Sequence, residues 1–369
     1  MTRKLRIGIN ALYLIPGGVG GTEVYLKQLL AAMARKPRGH SFIVFTNREM
    51  GANIEVDSPA VSVVETGVNA TSRPARILYE QTGLVGAARR AKIDVMFNSG
   101  FTSPLLLGRP NVTMIHDLQH HHHPEYFKAS DLLAWRFLVW ASAKIAKRLM
   151  TVSEASREDI NAVYGVPLDR IRAAEPGFEP EFLALDRRKI EPLILCVSTL
   201  HPHKNIERLI DAFADFCLKR KEYKLVLAGM RGFHAEAIEK RIEDRGVRDR
   251  VTITGWISRA EVMALYAKAR IAVFPSTFEG FGMPVVEAMA AGVPLIASDV
   301  RPMKDTAGDT ALLFPPNDTA ALTDALEKLA ANETLRNMMA SRAKKRVTAF
   351  TWERAATIAL DTIEEAAGA

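Results

Sequence analysis

The sequence predicts two doubly wound α/β units, and three observations carry that prediction. Short runs rich in Val and Ile alternate with longer amphipathic stretches over almost the whole chain, the pattern of parallel strands joined by crossover helices. The length, 369 residues, asks for two or three domains at roughly 150 residues each. The alternation is broken by one polar, Pro-containing, aperiodic stretch, Glu175-Pro-Gly-Phe-Glu-Pro-Glu followed by Asp186-Arg-Arg-Lys-Ile-Glu-Pro, which marks a linker near residues 176 to 190. We therefore expect a first unit over 1–180, a second over 190–350 and a terminal helix over 351–369. With 48% hydrophobic and 25% charged residues, the chain can bury a sizeable core and is neither disordered nor fibrous.

In the first half the expected strands are Leu5 to Ala11, Ser41 to Thr46, Val61 to Val64, Val95 to Asn98, Val112 to Ile115 and Leu149 to Val152. Ligands of open parallel sheets bind beyond the carboxyl ends of strands, so the loops there are informative. After the first strand comes Pro16-Gly-Gly-Val-Gly-Gly21, with Gly20 and Gly21 feeding a helix from Thr22 to Met33. Such a helix N-terminus suits a phosphate or carboxylate, although a plain flexible loop would look the same. The spacing is not Gly-x-Gly-x-x-Gly and no acid ends the second strand near Thr46, which disfavours a nicotinamide dehydrogenase. His116 and Asp117 follow the fifth strand, where they can orient a hydroxyl, act as a base or simply hydrogen-bond. His120 to His123 come next. Pro124 follows at once and no Cys or paired carboxylate completes a site, so a metal-free loop is expected.

The stretch Asp131 to Arg148 reads as a helix carrying Trp135, Phe137, Trp140 and four basic residues. A crossover helix with one packed face is the favoured reading; an interfacial helix on a lipid surface is the alternative.

In the second half the expected strands are Leu193 to Thr199, Lys224 to Ala228, Val251 to Thr254, Ile271 to Phe274, Pro294 to Ala297 and Ala311 to Leu313. Lys204 stands before a helix with Asn205 as its N-cap, placed to neutralise a diphosphate or to be a solvated lysine beside a capped helix. The stretch Phe274 to Gly292 holds Glu279 on a glycine-bearing turn and Glu287 one turn into a helix that starts near Pro284. Two carboxylates flanking donor-rich backbone suit a ligand with several hydroxyls and an anionic bridge. The basic run Ser341 to Arg346 reads as a solvated helix face.

Lys and Arg number 49 against 42 acids, a net charge of +7, which favours anionic partners. The two cysteines, Cys196 and Cys217, read as reduced core thiols. No apolar run approaches the ~20 residues of a spanning helix, and residues 1–6 lead straight into a strand. A cytoplasmic location follows as the expectation, with peripheral contact on the inner face of a membrane as its extension.

Glu279 and Glu287 are separated as in the Glu, seven residues, Glu signature of glycosyltransferase family 4, which the chain resembles over nearly its whole length. The glycine loop, His116-Asp117, Thr151 to Ser156, Pro202 to Asn205, Gly255-Trp256 and Ala291 to Ser298 all fall in family order. The likeness is greatest to bacterial mannosyltransferases of O-antigen and related polysaccharides. It implies the GT-B architecture, two Rossmann-like domains facing a central cleft, with the terminal helix crossing back to the first. It implies that Glu279 contacts donor-sugar hydroxyls beside the backbone of Phe281, Gly282 and Met283, and that Glu287 holds the ribose. It gives Lys204, with the Gly20-Gly21 backbone, the donor diphosphate; Gly229, Gly255 and Trp256 the nucleobase; and His116, with Asp117, the transferred sugar.

The family often has Gly-Arg where this chain has Ser198-Thr199, so a cation is missing at Thr199. His203 replaces it only in part because imidazole is mostly neutral near pH 7, and Arg231 is a further candidate.

The implied activity is retaining transfer of a hexose, mannose from GDP-mannose, to a saccharide or lipid-linked acceptor. No metal, no other cofactor and no nucleic acid are expected. The rival readings are a sugar-nucleotide epimerase of the same architecture and a non-catalytic sugar-nucleotide-binding module.

Overall fold

The computed structural model describes residues 3–369, the side chain of residue 130 excepted. The chain forms two compact units: residues up to Pro176 together with Thr351–Ala369, and Gly177–Phe350.

The first unit is built on seven parallel strands, β1 (Arg6–Asn10), β2 (Ser41–Thr46), β3 (Val61–Glu65), β4 (Val95–Asn98), β5 (Asn111–Met114), β6 (Arg148–Thr151) and β7 (Ile171–Ala173), in the order β3-β2-β1-β4-β5-β6-β7. All four residues of β4 (Val-Met-Phe-Asn) and of β5 (Asn-Val-Thr-Met) are buried, the polar ones included, as expected for parallel strands covered on both faces. The order reverses at β1, so the loops after β1 and β4 diverge to opposite sides and leave room between them. β7 is absent from the sequence reading. It is three residues long with an arginine at its centre, too short and polar to show a period.

The helix expected over Asp131 to Arg148 runs instead over Ala129–Ile145. Ala146 turns extended (ψ 132°), and Arg148 already pairs with Val112 as the first residue of β6. The last helix, Trp352–Ala367, starts at Thr351, whose side chain accepts from the Arg354 N–H, and it buries Trp352, Ala355, Ala359 and Ile363 at helical spacing. Trp352 meets Tyr25 of the first helix edge to face, ring centroids 5.6 Å apart.

The second unit carries β8 (Leu193–Val197), β9 (Lys224–Ala228), β10 (Val251–Gly255), β11 (Ile271–Phe274), β12 (Leu295–Ser298) and β13 (Ala311–Phe314), ordered β10-β9-β8-β11-β12-β13, all parallel. The stretch expected to be a linker is packed: residues 180–184 form a 3₁₀ turn with Phe182 buried, and the Arg187 guanidinium donates to the carbonyls of Tyr266 and Ala269. Its Pro and charged residues hid these tertiary partners. Both cysteines are buried and free, and burial pushes the Cys196 thiol up to about 12.

Candidate functional site

In the second unit the loops leaving β8, β9, β10 and β11 are tied to one another by backbone. Gly229, after β9, has φ 149°, and a Cβ there would lie 2.2 Å from the Ser198 carbonyl oxygen, so only glycine lets the β8 and β9 loops touch. Its N–H donates to the Gly255 carbonyl at 3.2 Å, which brings in the end of β10. Trp256 follows with two-thirds of its surface exposed, an indole face open to a planar ligand.

After β8 the chain makes a single 3₁₀ turn, Pro202–Lys204. Asn205 stands at the start of the next helix but does not cap it with its side chain, contrary to the sequence reading. It adopts the left-handed region (φ 55°), and its amide donates instead to the carbonyls of Pro275 (3.0 Å) and Pro316 (2.9 Å). The Thr277 N–H donates to the His203 carbonyl at 2.8 Å. The β8 and β11 loops are therefore stapled side by side, and the consequence is an ion pair: Lys204 Nζ lies 2.7 Å from Glu279 Oε1, both side chains mostly buried. Ser276 Oγ donates to the same oxygen at 2.8 Å.

The helix after this loop runs Met283–Ala291, with Gly282 at its N-cap (φ 93°). The Phe281 side chain is turned away and buried edge-on against Phe350, 5.8 Å between centroids, leaving its backbone for the turn. Glu287 is buried, and Arg259 Nη2 sits 2.7 Å from its Oε1 while binding both oxygens of Glu179 at 2.7 and 2.8 Å. Burial raises the Glu287 carboxyl and Arg259 pulls it back down, with burial the stronger; the two carboxylates in turn raise the Arg259 guanidinium. Glu287 thus meets a ligand as an arginine-paired carboxylate.

Neither Glu179 nor Arg259 was singled out by sequence. Arg259 directly follows Ser258, whose reciprocal bonds with Glu261 form a capping box, and that pattern fixes only the helix start. Arg231 is spoken for by Glu239 at 2.5 Å. The His201 and His203 rings stack at 5.8 Å.

In the first unit Gly20 is the N-cap of the helix Gly21–Arg35. Glu23, in its first turn, reaches back to accept from the Gly17 N–H at 3.0 Å, so one carboxylate already complements this helix end. His116 follows β5, buried, with Nε2 3.0 Å from the Ser99 carbonyl. A carbonyl only accepts, so Nε2 carries the proton and Nδ1 is the acceptor nitrogen. Tyr25 (5.4 Å) and Phe101 (5.3 Å) flank the ring, and burial pushes its pKa down to about 4, which keeps it neutral at pH 7. Asp117 Oδ1 accepts from the Gln119 N–H at 3.1 Å.

The histidine run departs from the expected loop: Gln119–His122 forms one helical turn. His120 is held by the Tyr164 hydroxyl at 2.8 Å, His122 by Asp159 and His123 by Glu125. These tertiary partners, remote in sequence for His120 and His122, are what order the turn.

Comparison with known proteins places both units. The profile described as Glycosyltransferase Family 4 matches residues 19–182, and that described as Glycosyl transferases group 1 matches 179–346. The O-antigen chain mannosyltransferase B of Escherichia coli is 29% identical over 284 residues, 73% of this chain and 74% of that protein. The O-antigen chain mannosyltransferase RfbU of Salmonella typhimurium strain LT2 is 29% identical over 233 residues, 62% of each chain. The sucrose-phosphate synthase structure from Thermosynechococcus elongatus superimposes with a TM-score of 0.78 at 22% identity, covering 97% of this chain and 98% of that one. Two parallel-sheet α/β units of this kind make the GT-B architecture. The chain is a glycosyltransferase and belongs to glycosyltransferase family 4.

Proposed function

We propose that this chain transfers mannose from GDP-mannose, with retention of configuration, to a saccharide or lipid-linked acceptor in the assembly of a surface polysaccharide. The observation that carries the reading is the Lys204–Glu279 pair at 2.7 Å, set between stapled loops, together with the mannosyltransferase relatives. Departure of a nucleoside diphosphate leaves negative charge on the β-phosphate and positive character at the anomeric carbon. Lys204 answers the first and Glu279 the sugar hydroxyls, by groups held in place before the reaction begins. An incoming diphosphate competes with Glu279 for Lys204 and frees the carboxylate for those hydroxyls.

The Gly20-Gly21 backbone, Thr199 and His203 add phosphate contacts, and Gly229, Gly255 and Trp256 take the base. Glu287 holds the ribose through the oxygen opposite Arg259. His116, neutral, positions the transferred sugar with Asp117 beside it, while the leaving phosphate takes the acceptor proton on the front face. Metal is not required where the protein supplies the cation. GDP-mannose should protect the chain against thermal unfolding more than UDP- or ADP-sugars do, since a tighter ligand stabilises the folded state by mass action. Equal protection by all three removes the guanine assignment.

We place the enzyme on the cytoplasmic face of a membrane. Leu133, Phe137 and Trp140, at i, i+4 and i+7 of the helix Ala129–Ile145, are exposed, with Lys144 and Lys147 beyond them. Aromatic and cationic side chains together favour the headgroup zone. Among the described residues no helix is long and apolar enough to cross a membrane. Co-flotation with anionic vesicles at low salt is expected; its absence removes the contact.

A further inference from the structure

The first unit holds two arginines that the donor chemistry does not use. Arg73 and Arg76 lie three residues apart, on one face of the helix Arg73–Gln81. Nε of Arg76 is buried without a hydrogen-bond partner, and among the described residues neither guanidinium has a carboxylate within 4 Å. A buried donor left unmade is costly, and a buried charge more so.

Asp131 acts on Arg73 through its charge, and the acid acting on Arg76 is Glu80, one turn further along. Its carboxylate is buried and already accepts from Asn10 (3.3 Å), Thr102 (3.0 Å) and Gln81 (3.2 Å). Burial raises the Glu80 carboxyl and lowers the Arg76 guanidinium, and the attraction between the two offsets burial only in part.

The surroundings of Arg73 lead to His116, the residue proposed above to position the transferred sugar. Arg73 lies over the Trp135 ring, 4.3 Å from its centroid; Trp135 packs on Phe101 at 5.9 Å, and Phe101 on His116 at 5.3 Å. Phe101 itself has φ 72°, a conformation strained for a bulky residue and found where surroundings impose it. On the Arg76 side stands Tyr13, packed so closely over Gly100 that a Cβ there would come within 2.4 Å of the ring. The Tyr13 hydroxyl donates to the Thr22 carbonyl at 3.3 Å. The helix that carries Trp135 is the one that exposes Leu133, Phe137 and Trp140.

We propose that Arg73 and Arg76 form a phosphate site of the first unit that takes the phosphate or diphosphate group through which the acceptor is carried. The proposal rests on the transferase reading above and names the acceptor's chemistry: an anionic ester, with the exposed apolar stripe beside Trp135 taking a hydrocarbon chain where there is one. Guanidinium forks suit this ligand, because each offers parallel N–H donors to two phosphate oxygens.

Calorimetric titration tests it with the donor site filled by saturating GDP, using farnesyl diphosphate and mannose 1-phosphate as separate probes. The wild type should bind at least one of them. Arg73→Ala and Arg76→Gln should each weaken that binding by about tenfold or more, Arg76→Lys by less, because a point charge keeps attraction but not the fork. Thermal midpoints verify that the variants fold, and Arg73→Ala, at the more exposed position, keeps the test valid if Arg76→Gln does not. Arginine-dependent binding of farnesyl diphosphate alone assigns a lipid-carried diphosphate, and equal binding of mannose 1-phosphate assigns a soluble sugar phosphate. Failure of both probes to bind the GDP-loaded wild type, or binding unmoved by both substitutions, overturns the proposal. Failure of the donor reading would show separately, as loss of GDP binding by the wild type.

Discussion

Replacing Glu279 by alanine is expected to lower mannosyl transfer by about 10²–10³-fold, in the range that removal of one preorganised polar group costs an enzyme, while leaving the fold intact. Glu279 lies on the loop after β11, where its partners are Lys204 Nζ and Ser276 Oγ. Lys204, 18% exposed, can reach solvent once Glu279 is gone, while the buried Ser276 hydroxyl loses its acceptor, so the thermal midpoint should fall modestly with the fold retained. The substitution removes the acceptor of the sugar hydroxyls and unmasks Lys204, so GDP binding should persist or tighten while turnover collapses. Lys204→Ala should behave oppositely, weakening GDP far more than guanosine because only the diphosphate is lost to it. Steady-state rates and GDP titrations on the same preparations check both. Equal transfer by wild type and both variants would remove the site assignment.

The second large effect is on stability. Arg259→Met leaves Glu179 and Glu287, one of them 4% exposed, without their shared cation. Breaking a buried pair by removing one partner costs about 3–5 kcal/mol. Arg259 itself is about one-third exposed, so solvent screens part of this and about 2–3 kcal/mol is the expected loss near pH 7.

The sign with pH follows from linkage. Burial raises Glu287 above its unfolded value, and without Arg259 it rises further. The folded chain then holds a proton that the unfolded chain has lost, so stability falls as pH rises from the ordinary carboxylate range through the raised value. The variant's deficit should therefore shrink on acidification, and a urea-unfolding series from pH 7 downward measures it. A deficit independent of pH would mean that losing Arg259 leaves proton binding by Glu287 in the folded chain unchanged, so that the two are not coupled.

Why the strands were legible while parts of the site were not is a matter of range. β8 is buried over all but one of its residues and β11 over all of them, and that burial writes itself locally as the apolar runs Leu-Ile-Leu-Cys-Val and Ile-Ala-Val-Phe. β7 escaped because three residues around Arg172 carry no period. Asn205 looked like an N-cap because capping is local, but its partners are the Pro275 and Pro316 carbonyls, remote in sequence.

The individual residues of the donor loops could be named from their positions after strands. Their relations could not: the Lys204–Glu279 pair joins two loops 75 residues apart, and the Glu179–Arg259–Glu287 triad joins three segments. The Arg76 guanidinium is the clearest case. Its sequence neighbours make it an ordinary surface-helix arginine, and only the burial of Nε without a partner distinguishes it.

Retaining mannosyl transfer from GDP-mannose can be tested by incubating the enzyme with that donor and a mannose-terminated acceptor, then reading the anomeric configuration of the product by NMR while GDP release is followed. An α-mannoside should form one for one with GDP, and only when acceptor is present. Free or epimerised sugar without acceptor, an inverted linkage, or GDP-mannose bound but never consumed in its presence would contradict it.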